Sequence, residues 1–293
     1  MLIMHQWNLQ EYCEIEANSI DQIYNIINAY NEQWDMPKKI SGGEFRAFYR
    51  GQSDAIWQIE PSIVRSDINE RDQYLKYQSK LQGKSLFDQL AYLQHYETGT
   101  RLIDFTTDPK VALYFACVDN KERDAALYLY NYVSHKAEWI DTIIFTEIML
   151  MPNDRTIKLG EFAEELYDKY EIFHERFESI SELSAFMIAY LNHGYMVLPN
   201  EDSSKSNLRM ARQKGTFFIC GVKFANAVPS YMRTSMRAAA NELICHSVNV
   251  PDSLKNKRPL VKIIIKREYK EKILERLEKE GITREYLFPE GII

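Results

Sequence analysis

The sequence predicts an α+β fold: a mixed, mostly antiparallel sheet core with flanking helices and a small helical insertion. Three observations carry this. Short apolar strand patterns recur from the first residues to the last third of the chain, with helical patterns between and beside them. The alternation of strand and helix is irregular and no GxGxxG follows a strand, which argues against a doubly wound parallel sheet. The 293 residues are 45% hydrophobic, with 19 tyrosines and 14 phenylalanines, ample for a large core.

The elements follow in order. Residues 1–44 form a strand and helix lead-in. Ser19 caps a helix in which Ile20, Ile23, Ile27, Tyr30 and Trp34 recur at helical spacing, so one face is buried. Residues 35–43 hold Pro37, Gly42 and Gly43 and read as a loop. Residues 45–52 alternate as a strand that sets Arg46, Phe48 and Arg50 on one face. A second short strand is expected at 56–59, after a turn at 51–54 and before Pro61. Residues 69–82 are helical, with Tyr74, Tyr77 and Leu81 on one face. Residues 125–133 and 142–151 read as strands. Residues 160–173 and 180–191 read as helices, and 155–194 as a helical insertion lobe whose acidic run is a solvated face. Residues 195–198 and 216–220 are further strands, with a polar loop at 200–207. Residues 225–258 give no clear pattern. A buried strand at 261–265 precedes a charged helix at 267–280, stopped by Gly281. With no internal repeat and no low-complexity segment, 1–293 is expected to be one domain.

The densest polar chemistry lies in residues 90–117. Ser85 and Asp88 make a capping-box start for a helix with Leu86, Leu90 and Leu93 inward, and Gly99 ends it. Residues 101–105 read as a short strand with Arg101, Ile103 and Phe105 on one face and Leu102 and Asp104 on the other. Asp108 caps the next helix, and Pro109 takes its first position, where a missing N–H costs nothing. Val111, Ala112, Phe115 and Ala116 give that helix a small, closely packing face. A helix start attracts anions through its free N–H groups and its dipole. A phosphate-bearing ligand beside Arg101, Thr106 and Thr107 is therefore expected. The competing reading is a buried strand–helix joint in which Arg101 and Asp104 pair for structural reasons.

Composition narrows the function classes. A formal net charge of -6 does not fit a general nucleic-acid binder, which shows a basic face. The four cysteines (Cys13, Cys117, Cys220 and Cys245) lie far apart without a CxxC pair, so neither zinc nor a disulfide framework is expected, and free thiols fit a reducing cytosol. No signal peptide is visible and no apolar run reaches the ~20 residues needed to span a bilayer, so no membrane partner is expected. The expected location is cytoplasmic.

Several motifs in order carry a resemblance to a family. They are Phe48-Tyr49-Arg50-Gly51-Gln52, Trp57, Pro61-Ser62-Ile63-Val64-Arg65, Gln94-His95-Tyr96 and Thr100-Arg101-Leu102-Ile103-Asp104-Phe105-Thr106. Ala112-Leu113-Tyr114-Phe115-Ala116, then Arg209 with Gln213, Gly215 and Phe217, and last Leu287-Phe288-Pro289 complete the set. Together they resemble the FRG domain family, from about Phe45 to the C-terminus. Glu97-Thr98-Gly99 stands where the family usually has a Gly-x-Pro turn, and Phe105 where it usually has Trp. The resemblance implies a bacterial or phage-related protein of a toxin or phage-defence system.

The order of Arg50, then Asp104-Phe105-Thr106 with Ala112 and Phe115, then Gln213 is also distantly similar to ADP-ribosyltransferases. That similarity implies NAD as substrate, with no metal. Breaking the nicotinamide bond builds positive charge on the ribose, so a site must hold the pyrophosphate and stabilise that cation. The implied catalytic residues are Asp104, Gln213 and His95: Asp104 orients Arg101 or faces the cation, His95 bonds a ribose hydroxyl, and Gln213 stands where such enzymes place Glu. The implied cofactor-binding residues are Arg50 and Arg101 for the pyrophosphate, Thr100 and Thr106 beside them, and Tyr96 or Phe115 stacking on nicotinamide. A Gln binds a hydroxyl but is no base. The alternative is a non-catalytic sensor module for a nucleotide or a nucleic-acid end, supported by the arginine set Arg46, Arg50, Arg65, Arg101, Arg209 and Arg212 without an obvious catalytic carboxylate. The partners expected are a nucleotide ligand and an unidentified protein or nucleic-acid target. A nuclease would need clustered acids at metal-binding spacing, which the sequence does not show.

Overall fold

In the first part of the chain, local chemistry builds strands around one long helix. The computed structural model describes residues 3–5, 12–35, 45–65, 70–96, 99–151, 156–200, 207–224, 230–244 and 260–289. Strands β1 (Ile3–His5) and β2 (Tyr12–Ala17) precede helix α1 (Ile20–Glu32), whose first turn is closed by the Ser19 hydroxyl accepting from the Gln22 N–H. Ile23, Ile27, Tyr30 and Trp34 are buried as their spacing requires. Strand β3 (Phe45–Gln52) follows the expected bounds. Residues 56–59 form no strand: Asp54 Oδ1 accepts from the Ile56 N–H and the Asp54 carbonyl from the Trp57 N–H, bending the backbone into an Asx turn.

Helices α2 (Glu70–Tyr77) and α3 (Leu86–Tyr96) come next, the latter started by Ser85 Oγ accepting from the Asp88 N–H at 3.1 Å. Strand β4 (Leu102–Thr106) leads through the Asp108 cap into α4 (Pro109–Cys117). Strand β5 (Ala125–Lys136) spans the middle of the sheet. The run read as a strand at 142–151 is instead helix α5 (Ile140–Met149). It is apolar on nearly every side because it is buried nearly all round, and such a run carries no period that separates helix from strand. Thr146 Oγ1 donates back to the Thr142 carbonyl at 2.9 Å, as a threonine does inside a helix.

The remaining elements are β6 (Thr156–Lys158), α6 (Leu159–Lys169), α7 (Glu171–Arg176), α8 (Ile180–Tyr190) and β7 (Tyr195–Leu198). Helix α9 (Leu208–Gln213), β8 (Gly215–Ile219), β9 (Gly221–Phe224), β10 (Arg237–Ile244) and β11 (Leu260–Ile265) follow. Helices α10 (Lys270–Lys279) and α11 (Arg284–Leu287) close the described chain. Strand β10 lies in the span that gave no pattern; the expected loops at 36–43 and 201–206 lie outside the described residues.

The main sheet is ordered β2-β11-β5-β3-β4-β8-β7, and β5 also pairs with β7. That second pairing curls β5, β3, β4, β8 and β7 into a ring, a partial barrel. Pairing is antiparallel except for β2 with β11 and β5 with β7. A smaller sheet joins β1, β10 and β6, with β9 on β10. The architecture is α+β with mixed, mostly antiparallel sheets. Every strand of the ring sends residues to one apolar cluster: Phe48, Ile103 and Phe105, Tyr128 and Tyr130, Met196, and Phe218. A second cluster packs α1, α4 and α10 on Tyr49, Leu127, Leu129 and Ile263. A third gathers α3, α5, α6 and α8 against Phe217 and Ile219, so the helices of 159–190 share one core with α3 and β8.

Candidate functional site

The ring has a weak seam. Strands β3 and β4 meet at a single register pair, Tyr49 with Thr106, whereas β3 and β5 pair along the whole of β3. Beyond that pair, the Arg50 guanidinium crosses the gap and donates to the Asp104 carbonyl at 2.6 Å. Gly51 is what lets β3 lie on α4: a Cβ there would sit 1.9 Å from the Ala112 carbonyl oxygen and 2.6 Å from the Ala116 nitrogen. A cleft of about 670 Å³ opens over this seam, with Arg50, His95, Asp104, Thr106, Phe115 and Gln213 among its lining residues. Three distant parts of the chain thus meet in one place.

The side chain of Asp104 is held by its neighbour Gln94. The Gln94 amide nitrogen donates to Asp104 Oδ2 at 2.9 Å, while its oxygen accepts from the Thr100 N–H at 3.1 Å and the Thr100 hydroxyl at 2.9 Å. Asp104 Oδ1 is out of contact with water and accepts no hydrogen bond among the described residues. His95 lies beside it. Burial pushes the imidazole below its ordinary value, Asp104 draws it up, and Arg209 pushes it down again. Burial is the largest of these, so the ring is neutral near pH 7.

Other expected residues sit differently. Arg101 does not reach the cleft. It is fully buried, its Nε donates to Glu70 Oε2 at 2.6 Å, and its backbone N–H donates to Glu70 Oε1 at 2.8 Å. The structural ion pair is real, but its acid is Glu70 rather than Asp104. Thr100 is also buried away from the cleft, spent on Gln94. The start of α4 is already capped: Asp108 Oδ1 accepts from the Lys110 N–H, and Asp108 Oδ2 meets Lys214 at 2.7 Å. The anion expected there is supplied by the chain itself. Thr106 lines the cleft, but its hydroxyl donates to the Gln213 carbonyl at 2.6 Å. The Gln213 amide donates to the Leu287 carbonyl at 3.2 Å and so braces the C-terminal turn. Phe115 lines the cleft edge-on to Phe288, with ring centroids 6.0 Å apart. The side chain of Tyr96 lies outside the described residues.

Arg209, one of the motif residues, has a defined place in the cleft, and Lys270, which no motif marks, braces its wall. Arg209 lines the cleft, donates to the His95 carbonyl at 3.0 Å and lies 4.8 Å from the Phe288 ring centroid. Lys270, fully enclosed, donates to the carbonyls of Ser53, Asp119 and Asn120 at 2.8–2.9 Å, and Ser53 and Asp119 line the cleft. Its spacing from Ile273 and Leu277 puts it on the buried face of α10, a signal the sequence did carry. The rim bears Trp57 and Ile56, 44% and 76% exposed. Among the described residues no group of three or more His, Cys, Asp or Glu side chains is arranged to hold a metal ion. No described helix is long and apolar enough to cross a membrane. Chemically, the cleft offers two guanidinium groups, the carboxyl groups of Glu60, Asp119 and a fixed Asp104 with one spare oxygen, a neutral imidazole and aromatic edges. That set can grip an anion and hydroxyl groups together.

The fold and cleft define an α+β domain with a partial barrel and a polar cleft at an open strand seam. A family model described as the FRG domain matches residues 46–125. This span holds β3 apart from Phe45, then α2, α3, β4 and α4, and with them Arg50, His95, Asp104 and Phe115; Arg209 and Gln213 come from beyond it. No curated protein and no solved structure gives a significant match.

Proposed function

We propose that the cleft binds a nucleotide, with NAD as the ligand, and cleaves its nicotinamide–ribose bond. The observation that carries this is Asp104: its carboxyl group is fixed by Gln94 on one oxygen, spare on the other, and flanked by Arg50 and His95 in the same cleft. In the reaction, the carbon–nitrogen bond breaks with its electron pair going to nicotinamide, and the ribose becomes electron-poor. A carboxylate aimed at that ribose stabilises the developing cation. A neutral imidazole can bond a ribose hydroxyl. Water then adds to the ribose carbon and loses a proton, giving ADP-ribose; a nucleophilic acceptor in place of water gives ADP-ribosylation. Such activity would suit a toxin or phage-defence protein.

A second reading has its own support. The Gln213 amide, which is no base, is spent on the Leu287 carbonyl. That favours a sensor that binds the nucleotide without turnover. The experiment is incubation with NAD while free nicotinamide is measured. Release that disappears in Arg50→Ala and Asp104→Ala supports the enzyme. NAD binding without release supports the sensor. Neither binding nor release overturns both.

A further inference from the structure

The cleft carries three carboxyl groups, on Glu60, Asp104 and Asp119, beside its guanidinium groups. A loose positive charge in such surroundings would be neutralised by its neighbours and would select no anion. Arg209 is not loose. Its guanidinium carbon lies over the Phe288 ring, 4.8 Å from the centroid, and one of its nitrogens donates to the His95 carbonyl at 3.0 Å. Phe288 is itself held from three directions. Phe115 meets it edge-on at 6.0 Å, its N–H donates to the Arg284 carbonyl at 2.8 Å, and the preceding carbonyl, of Leu287, accepts from Gln213. Arg212 adds a bond to the Tyr286 carbonyl at 3.1 Å. Three cleft-lining side chains, Arg209, Phe115 and Gln213, therefore rest on one short C-terminal turn.

We infer that Arg209 is an anion-binding residue of the cleft for the phosphate groups of its ligand, and that Phe288 is the positioning residue that holds its guanidinium plane. A planar fork fixed in orientation matches phosphate oxygens two at a time and loses little freedom on binding. This deepens the nucleotide reading of the same cleft by naming the group that recognises phosphate, and it rests on that reading for the ligand's identity alone.

The test uses the full chain and inorganic pyrophosphate as probe, by isothermal calorimetry, with nicotinamide release from NAD followed in parallel. Arg209→Gln is expected to abolish pyrophosphate binding. Phe288→Ala should weaken it about tenfold, the scale of a lost guanidinium–aromatic contact. Phe288→Tyr should restore it, which a general loss of folding would not allow. If Phe288→Ala proves unfolded by circular dichroism, Arg209→Lys takes its place: it keeps the charge, loses the stacked plane, and should weaken binding to a similar degree. A wild-type protein that does not bind pyrophosphate, or variants that bind it as the wild type does, would overturn the inference. Pyrophosphate binding lost in the variants, with no NAD cleavage by the wild type, would uphold it while overturning the proposed chemistry.

Discussion

At the residue scale, Asp104 is the most demanding position. Asp104→Asn keeps the shape and the bond to Gln94 in reach but removes the negative charge. Nicotinamide release should fall by at least about 100-fold while NAD affinity stays within a few-fold, measured by single-turnover kinetics beside calorimetry. His95 gives a prediction in pH. Its folded-state value lies below its ordinary value near 6.5, because burial disfavours the charged ring. Between those two values the unfolded chain binds a proton that the folded chain does not, so stability falls as pH drops below about 6.5. His95→Gln should flatten that part of the stability–pH curve in urea titrations; an unchanged slope would place the proton elsewhere. His95, Arg50 and Asp104 entered the candidate site through the motifs that carry the resemblance, and the strand period and the helix end placed them on their elements. Arg101 was misread for a physical reason: a lone arginine on a strand looks the same whether its partner is a ligand or an acid such as Glu70, 31 residues earlier.

At the element scale, the cleft depends on two close fits. Gly51 allows β3 to touch the α4 backbone, and a Cβ there meets main-chain atoms that cannot swing aside. Gly51→Ala should cost about 3 kcal/mol or more, the upper end for overpacking, read from the urea midpoint. The Glu70–Arg101 pair anchors α2 to the start of β4, with both side chains fully buried. Burial raises the Glu70 carboxyl and Arg101 draws it back down. Glu70→Ala leaves the guanidinium buried without its acid and should cost ~3–5 kcal/mol, whereas replacing both residues with apolar side chains of similar volume should cost far less. Elements with a clear period or a cap were legible: α1 from Ser19, α3 from Ser85, α4 from Asp108 and Pro109, and β3 from its alternation. Helix α5 was not, because burial on nearly every side removes the contrast that marks a helix face. Residues 56–59 failed for another reason, since the Asx turn at Asp54 outweighs the strand-like side chains that follow.

At the scale of the whole molecule, the α+β class was legible from irregular alternation of patterns, but closure of the ring was not. Closure depends on β5 pairing with β7 across some sixty residues, and long-range pairing leaves no local mark. The cleft follows from that closure, since β3 and β4 splay within a ring whose other strands stay joined. The role of the C-terminal turn was hidden for the same reason: Phe288 and Arg209 are distant in sequence and meet only in the folded chain. The most direct measurement of the central claim, that separate parts of the chain converge on one nucleotide cleft, is a crystal structure of the protein with NAD or its product ADP-ribose. The account predicts the ribose next to Asp104 and His95, with phosphate oxygens on Arg50 or Arg209. A ligand bound elsewhere, or a cleft that stays empty at saturating ligand, would contradict it.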